Sequence, residues 1–433
     1  MTSESILAGW LVDGSGGPAR ENVLLTIDKG TITHIEEAIP EKTCQLEVTD
    51  FSHCTLLPGL IDAHIHLFMS GTEDLDIRDK QLNLTFDDLI GGMEERLGNL
   101  IACGIVACRD GGDRHAYTLK YKIDRLAGNA FPLHLKVAGA AWHQIGRYGK
   151  MIGNSPGISE KLGQSICKQI QGIDHIKIVN SGLNSLVHFG RETSPQFDVL
   201  ELQDAITIGE GFGCKTMVHA NGKKPVEVAL EAGCHSIEHG FFMGQENLKR
   251  MADKQIFWVP TAVTMQAYRD TFERRIKKNR IQSPSTDPSL VRIDKMVEVA
   301  SRNLEHQLEQ IHQAKELGVP IAVGTDSGSI GVYHGVSVKE EIRLLMMAGF
   351  SGPEAIQCAT QNNARLLNLK NCGLIAKGTV ATFVAVAGPP QDLPDSLGRI
   401  AYLYIKGSEY GRREEIKQQN ISRTSGAGTT NIV

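Results

Sequence analysis

No CxxC pair occurs in this chain, although it holds nine cysteines. An odd number without paired spacing argues against a disulfide framework. Most of them (Cys103, Cys108, Cys167, Cys214 and Cys234) lie in apolar runs, where a reduced thiol behaves as a small hydrophobe. A long hydrophobic stretch is also missing, and the mean hydropathy is −0.16, so a membrane-spanning helix is not expected. Basic charge is not in excess: 45 Lys and Arg face 50 Asp and Glu for a net charge of −5. That balance offers no field for a phosphate backbone and argues against a nucleic-acid partner. The first residues carry neither the positive start nor the apolar run of a secretory signal, so a cytoplasmic location is expected. Low-complexity segments and short repeats are absent as well. What is present is an ordinary globular composition, 41% hydrophobic and 22% charged over 433 residues, enough to bury one large core and a smaller one.

Residues 4–57 read as short strands separated by turns such as Asp13-Gly14-Ser15-Gly16-Gly17 and Asp28-Lys29-Gly30. From residue 58 to about 368 the texture changes to short apolar runs alternating with amphipathic stretches, the pattern of repeated βα units. Eight such runs are expected as strands: 60–66, 105–109, 133–139, 175–179, 215–219, 235–239, 256–260 and 320–325. The clearest helix carries Ile293, Val297, Ala300, Leu304, Leu308 and Ile311 at helical spacing, with Gly318 as its stop. Strand texture returns over 369–410, and residues 411–433 form a polar tail. The expected fold is therefore α/β: a (β/α)8 barrel over 58–368, with a small β-sandwich built from both chain ends, 1–57 and 369–410, because neither end alone can bury a face.

In such a barrel, residues at the C-terminal ends of strands point into the active site. The first run ends His64-Ile65-His66, whose period-2 spacing puts both imidazoles on one face. The fifth ends at His219, the sixth at His239, and the eighth runs into Asp326; the fourth carries Lys177 inside an apolar strand. Each has a bland alternative. A lone histidine at a strand end is more often a hydrogen-bonded core or surface group, an aspartate can cap a loop, and a lysine in a strand can snorkel. The conjunction of four ligand-bearing strand ends with Lys177 between them is what points to a metal site.

The sequence resembles the amidohydrolase superfamily through Pro58-Gly59-Leu60-Ile61-Asp62-Ala63-His64-Ile65-His66, Arg109-Asp110-Gly111-Gly112, Val218-His219-Ala220-Asn221-Gly222, Ile237-Glu238-His239-Gly240 and Gly324-Thr325-Asp326-Ser327-Gly328. It looks most like the binuclear branch with prolidase-like, Xaa-dipeptidase-like members. The resemblance implies two divalent metal ions, zinc by ligand type, and a carbon dioxide-derived carbamate on Lys177 bridging them. His64, His66 and Asp326 would hold one ion, and His219 and His239 the other. It also implies water activated between the ions, with Asp326 moving the proton to the leaving amine. His143, in the loop after the third strand, is the second catalytic candidate. His188 is expected at the surface, and Arg147, Arg191 and Tyr268 are weaker candidates for gripping a substrate carboxylate. Arg109 and Asp110 are expected to tie the barrel mouth together, and Glu238 to point away from the metals by strand alternation. The run Arg274-Arg275-Ile276-Lys277-Lys278 is expected to be a solvated helix face.

Hydrolysis of an amide-type bond in a small molecule follows, with dipeptides or N-acyl amino acids first and cyclic amides such as hydantoin-like or imidazolone-like rings second. The enzyme is expected to be a homo-oligomer. A mononuclear aminohydrolase is the competing enzymatic reading, but its relatives place a glutamate just beyond the fifth-strand histidine, where this chain has Ala220-Asn221-Gly222-Lys223. A metal-free scaffold of the same fold is the reading from outside enzymology. Ala140-Ala141-Trp142-His143-Gln144 and Asn180-Ser181-Gly182 depart from the glycine-rich loops of the dipeptidase-like members.

Overall fold

The computed structural model describes residues 3–126, 131–280 and 288–412. From residue 413 onward the expected polar tail lies outside them.

Both chain ends build one seven-stranded mixed sheet. Its strands run in the order Ser408–Arg412, Ile400–Ile405, Phe383–Ala387, Val48–Pro58, Glu4–Leu11, Arg20–Asp28 and Thr31–Glu37. The sheet curls until its far edges meet: Thr31 bridges Val380, and Gly30 and Gly407 approach so closely that a Cβ on either would strike the other's backbone. Ile6, Leu25, Ile32, Phe383 and Tyr404 fill the interior of this sandwich. Alternation along the C-terminal strands does the rest. Phe383, Ala385, Tyr402 and Tyr404 face the sandwich, whereas Val384, Val386, Leu403 and Ile405 belong to the barrel core, which is why these segments read as continuous apolar runs. The chain ends thereby cement the sandwich to the barrel.

The barrel closes from two sheets. Leu60–Ile65, Ile105–Asp110 and His134–Val137 pair in parallel, and Ala141–Trp142, His175–Val179, Lys215–Ala220, Ser236–His239 and Phe257–Val259 form the second parallel set. They join at the third strand, which the sequence suggested was continuous from 133 to 139. It breaks at 138–140, where Gly139 takes a positive φ of 69°, so its first part pairs back to the second strand and its second part pairs forward to the fourth. The other seam is residues 320–327. This eighth segment makes a bridge at Ile321 to Trp258 and another at Ser327 to Ile65, without a continuous ladder. Between these bridges the carboxamide of Asn363 donates to the carbonyls of Ile61 and Val323, at 2.5 and 2.8 Å, and stitches the first and eighth strands together.

Helices separate the strands as expected. Phe86–Ala102 opens with a capping box between Thr85 and Asp88, and Val199–Gly211 with one between Asp198 and Glu201. Pro288–Leu317 buries Ala300, Leu304 and Ile311 and ends at Gly318 with φ 76°. Val263–Arg280 precedes it. Its Arg274 and Arg275 are not simply solvated: they bind the carboxylate and the carbonyl of Glu73, tying this helix to the loop that follows the first strand. Among the described residues no helix is long and apolar enough to cross a membrane.

Candidate metal centre

The end of the first strand is locked to the end of the eighth. Asp326 N donates to His64 O at 2.7 Å and His66 N to Ser327 O at 2.7 Å, so the carboxylate of Asp326 faces both imidazoles. Its Oδ1 lies 3.5 Å from His64 Nε2 and 3.4 Å from His66 Nε2, while Oδ2 accepts from Ser329 Oγ at 2.9 Å. One ligand atom from each of these three residues lies within 4.8 Å of the others, a spacing that could hold a single ion. His239 packs its ring 5.0 Å from that of His64, and the His219 ring lies 4.6 Å from His239. Lys177 Nζ reaches to 3.3 Å from His64 Nε2. All six residues named from the sequence as ligands are thus drawn together at one end of the barrel.

The free nitrogen of each imidazole is set by the partner of the other. His64 Nδ1 hydrogen-bonds Glu238 Oε2 at 2.8 Å, His66 Nδ1 the Gly112 carbonyl at 3.0 Å, and His239 Nδ1 the Thr261 hydroxyl at 2.7 Å. Each leaves Nε2 available. His219 is held the opposite way round, through Nε2 to Gly182 O at 3.2 Å, which leaves Nδ1. Anchored rings with one free nitrogen each are what metal-ligating histidines require. Burial favours the neutral rings: it holds His66 and His219 down to about 3 and His64 and His239 well below the usual imidazole range, with the Lys177 ammonium adding to the effect. Burial likewise pulls Lys177 down to about 8, against the opposing influence of Glu238 and Asp326, and pushes Asp326 up to about 6. Neutral nitrogen donors, a carboxylate and an amine whose charge is disfavoured make a donor set that fits divalent cations.

Two of these ligand positions sit on strained backbone. His239 has φ 67° and Asp326 φ 59°, in a region that side chains other than glycine rarely adopt. At His239 this breaks the strand alternation. Glu238, expected to point away, instead lies fully buried inside the barrel, where it binds His64, Arg109 Nη2 at 2.8 Å and Ser236 Oγ at 2.5 Å. Arg109 also donates to Ala63 O and Ser236 Oγ, and Asp110 accepts from Leu67 N and Gly112 N, so both tie the mouth together as expected. Gly111 is there for space: a Cβ on it would meet His66 Cε1 at 2.7 Å.

His143 does not join the six. It is buried after the broken third strand, and among the described residues its ring bonds Gln144 O at 2.8 Å and Ser155 Oγ at 3.4 Å. It packs beneath Gly149, next to Tyr148, whose ring abuts His219 at 5.5 Å. His188, Arg147 and Arg191 are exposed, and Arg147 is engaged with Ser194 O. Sequence reading missed the carboxylate Asp62, which gathers the amides of His64 and Thr325 and the Thr325 hydroxyl. It also missed Thr261 and Gln307; the latter donates to the carbonyls of His239 and Pro260. Asp62 stands in the first-strand signature and could have been singled out there; Gln307 lies far along a helix, with no pattern to mark it.

Comparison with known proteins agrees with this fold. The model of the amidohydrolase family matches residues 55–410. An ochratoxinase of Aspergillus niger is 25% identical over 391 residues, covering 82% of this chain and 75% of its own length. The crystal structure of a Xaa-Pro dipeptidase with bound methionine in the active site superposes with a TM-score of 0.73 at 23% identity, covering 94% of this chain and all of that one. The structure of a molinate hydrolase superposes with a TM-score of 0.74 at 17% identity, covering 100% of this chain and 99% of that one.

Proposed function

Since the chain belongs to the amidohydrolase family and is a hydrolytic enzyme acting on carbon–nitrogen bonds, we propose that it uses two divalent metal ions, zinc by ligand type, to cleave the amide bond of an N-acyl amino acid or a dipeptide. The observation that carries this reading is the convergence of four anchored, neutral imidazoles and Asp326 on Lys177. Bound ions would supply Lewis acidity, lowering the pKa of water and polarising the scissile carbonyl. His64, His66 and Asp326 would hold one and His219 and His239 the other. Lys177 is uncomfortable as a buried ammonium. Its neutral amine can add carbon dioxide and release a proton, and the resulting carbamate places an anion where the imidazoles would otherwise surround a cation.

Asp326, oriented by Ser329, accepts the proton of the attacking water and delivers it to the leaving nitrogen. Glu238 fixes the tautomer of His64, and Thr261 orients the ring of His239. The likeness to a Xaa-Pro dipeptidase supports a dipeptide or related amide as substrate. The departures lie at the end of the broken third strand, at 140–144, and in the loop that follows the fourth, at 180–182, where substrate would be selected. We further propose that the protein works in the cytoplasm as a homo-oligomer on small molecules.

The test has two arms. Elemental analysis of protein incubated with zinc and bicarbonate should find two ions per chain, and intact mass spectrometry under native conditions should find one carbon dioxide adduct. Lys177→Ala should lose both metal and activity and recover part of each with small carboxylic acids. Folded protein that takes up no divalent metal, or an Ala variant with full activity, overturns the proposal.

A further inference from the structure

Among the described residues, one guanidinium at the barrel mouth meets no carboxylate within ion-pair distance. Arg78 lies on the short helix Leu75–Gln81 that follows the first strand, and its Nη1 donates to the carbonyls of Ser70 and Gly328, both at 2.9 Å. Gly328 is two residues past Asp326, and its Cα is so close to His66 that a Cβ there would meet the His66 carbonyl oxygen at 2.7 Å. The guanidinium therefore stands beside the metal cluster. Among the described residues Arg78 forms no ion pair, although Glu73, five positions earlier, is engaged by Arg274 instead. The helix Val263–Arg280 runs along the same loops, with Ala267 and Thr271 against Gly331 and with Arg274 and Arg275 clamped to Glu73; it carries Tyr268, stacked on Phe272. Arg78 is partly buried and has most of its donors unspent, next to the atoms that would do the chemistry.

We propose that Arg78, assisted by Tyr268 from the neighbouring helix, is the receptor for a carboxylate of the substrate, so that the enzyme selects amides whose amine portion carries a free carboxyl group. The proposal rests on the amide-hydrolase reading above and narrows it. An arginine held by two carbonyls cannot swing away, and its remaining donors can form a fork suited to a carboxylate. Fixing the carboxylate there would orient the scissile bond against the metal-facing side of Asp326.

The experiment compares matched substrates on the zinc-loaded full chain. A series of N-acetyl-L-amino acids is assayed, and the best is paired with its decarboxylated N-alkylacetamide, which has the same scissile bond. The parent should prefer the acid. In Arg78→Met the acid-to-decarboxylated ratio of kcat/KM should fall about 10- to 100-fold, chiefly through KM for the acid. Arg78→Lys should restore part of the ratio, and Tyr268→Phe should lower it by a smaller factor. Calorimetric titration with the product amino acid should show weakened binding in the same order. If the parent hydrolyses the series but the ratio does not change in Arg78→Met or in Tyr268→Phe, Arg78 is only a staple between loops and the inference fails. If the metal-loaded parent cleaves no amide in the series or in a dipeptide panel, it is the amide-hydrolase reading that fails.

Discussion

Glu238 and His239 are consecutive, yet both face the interior of the barrel, because the left-handed backbone at His239 cancels the alternation of the strand. The consequence is a division of labour between neighbours: His239 offers a ring nitrogen, and Glu238 fixes the ring of His64 while neutralising Arg109. Glu238→Gln retains the shape but can no longer pull on Nδ1–H with a full charge. Metal affinity, measured by chelator competition, should fall about 10- to 100-fold. The same change leaves the Arg109 guanidinium without its counter-charge, so the melting temperature should drop as well. Asp326 is tested by a different substitution. Asp326→Asn retains a coordinating oxygen and cannot take a proton, so turnover at equal metal occupancy should fall about 10²- to 10⁴-fold. A variant within a few-fold of the parent would move proton transfer elsewhere, and His143 would be examined next.

At the scale of elements, the barrel is held shut by side chains where its backbone ladder is thin. Asn363, near the C-terminal end of the barrel sequence, donates to the first and eighth strands from a short helix, Gln361–Leu366. Asn362, one residue earlier, donates to Ile321 O in the same seam. Replacing Asn363 by Leu removes both of these bonds, although Val323 O keeps the amide of Ala63 as a donor. The expected loss is about 1–3 kcal/mol in all, read as a shift in the denaturant midpoint with little change in slope. Because the first and eighth strands carry His64, His66 and Asp326, the same variant should bind zinc more weakly even where it remains folded.

For the whole molecule, the metal centre is a store of instability that ligand binding should relieve. Four desolvated imidazoles, a raised carboxyl and a depressed amine are packed together, two of them on strained backbone. Zinc should therefore raise the melting temperature and a chelator lower it, with a stabilisation of about 2.7 kcal/mol at a free ion concentration 100 times Kd. Differential scanning fluorimetry with and without zinc, repeated on His219→Ala, checks both the sign and the site: the variant should show a smaller shift. The homo-oligomer proposed for the chain is checked by light scattering, where a monomer mass across the working concentration range would refute it.

Much of this protein was decided locally. The alternation of strand and helix, the ligand-bearing strand ends and the two β-rich chain ends all follow from hydrophobic period and from short motifs, because each βα unit carries its own period and turn signals, and a parallel barrel presents every strand end at the same mouth. The resemblance carried by those motifs was enough to select His64, His66, Lys177, His219, His239 and Asp326 as a group, and the tertiary structure does bring them together. It alone decided the rest. The break in the third strand depends on which neighbour each half can pair with, and the positive φ at Asp326 depends on the seam that holds it to His64, so neither can be read from side-chain order. Glu238, Asp62, Gln307 and Arg78 acquire their roles from partners that are distant in sequence. Nothing in a local window distinguishes a carboxylate that will meet a histidine 174 positions away from one that will meet water.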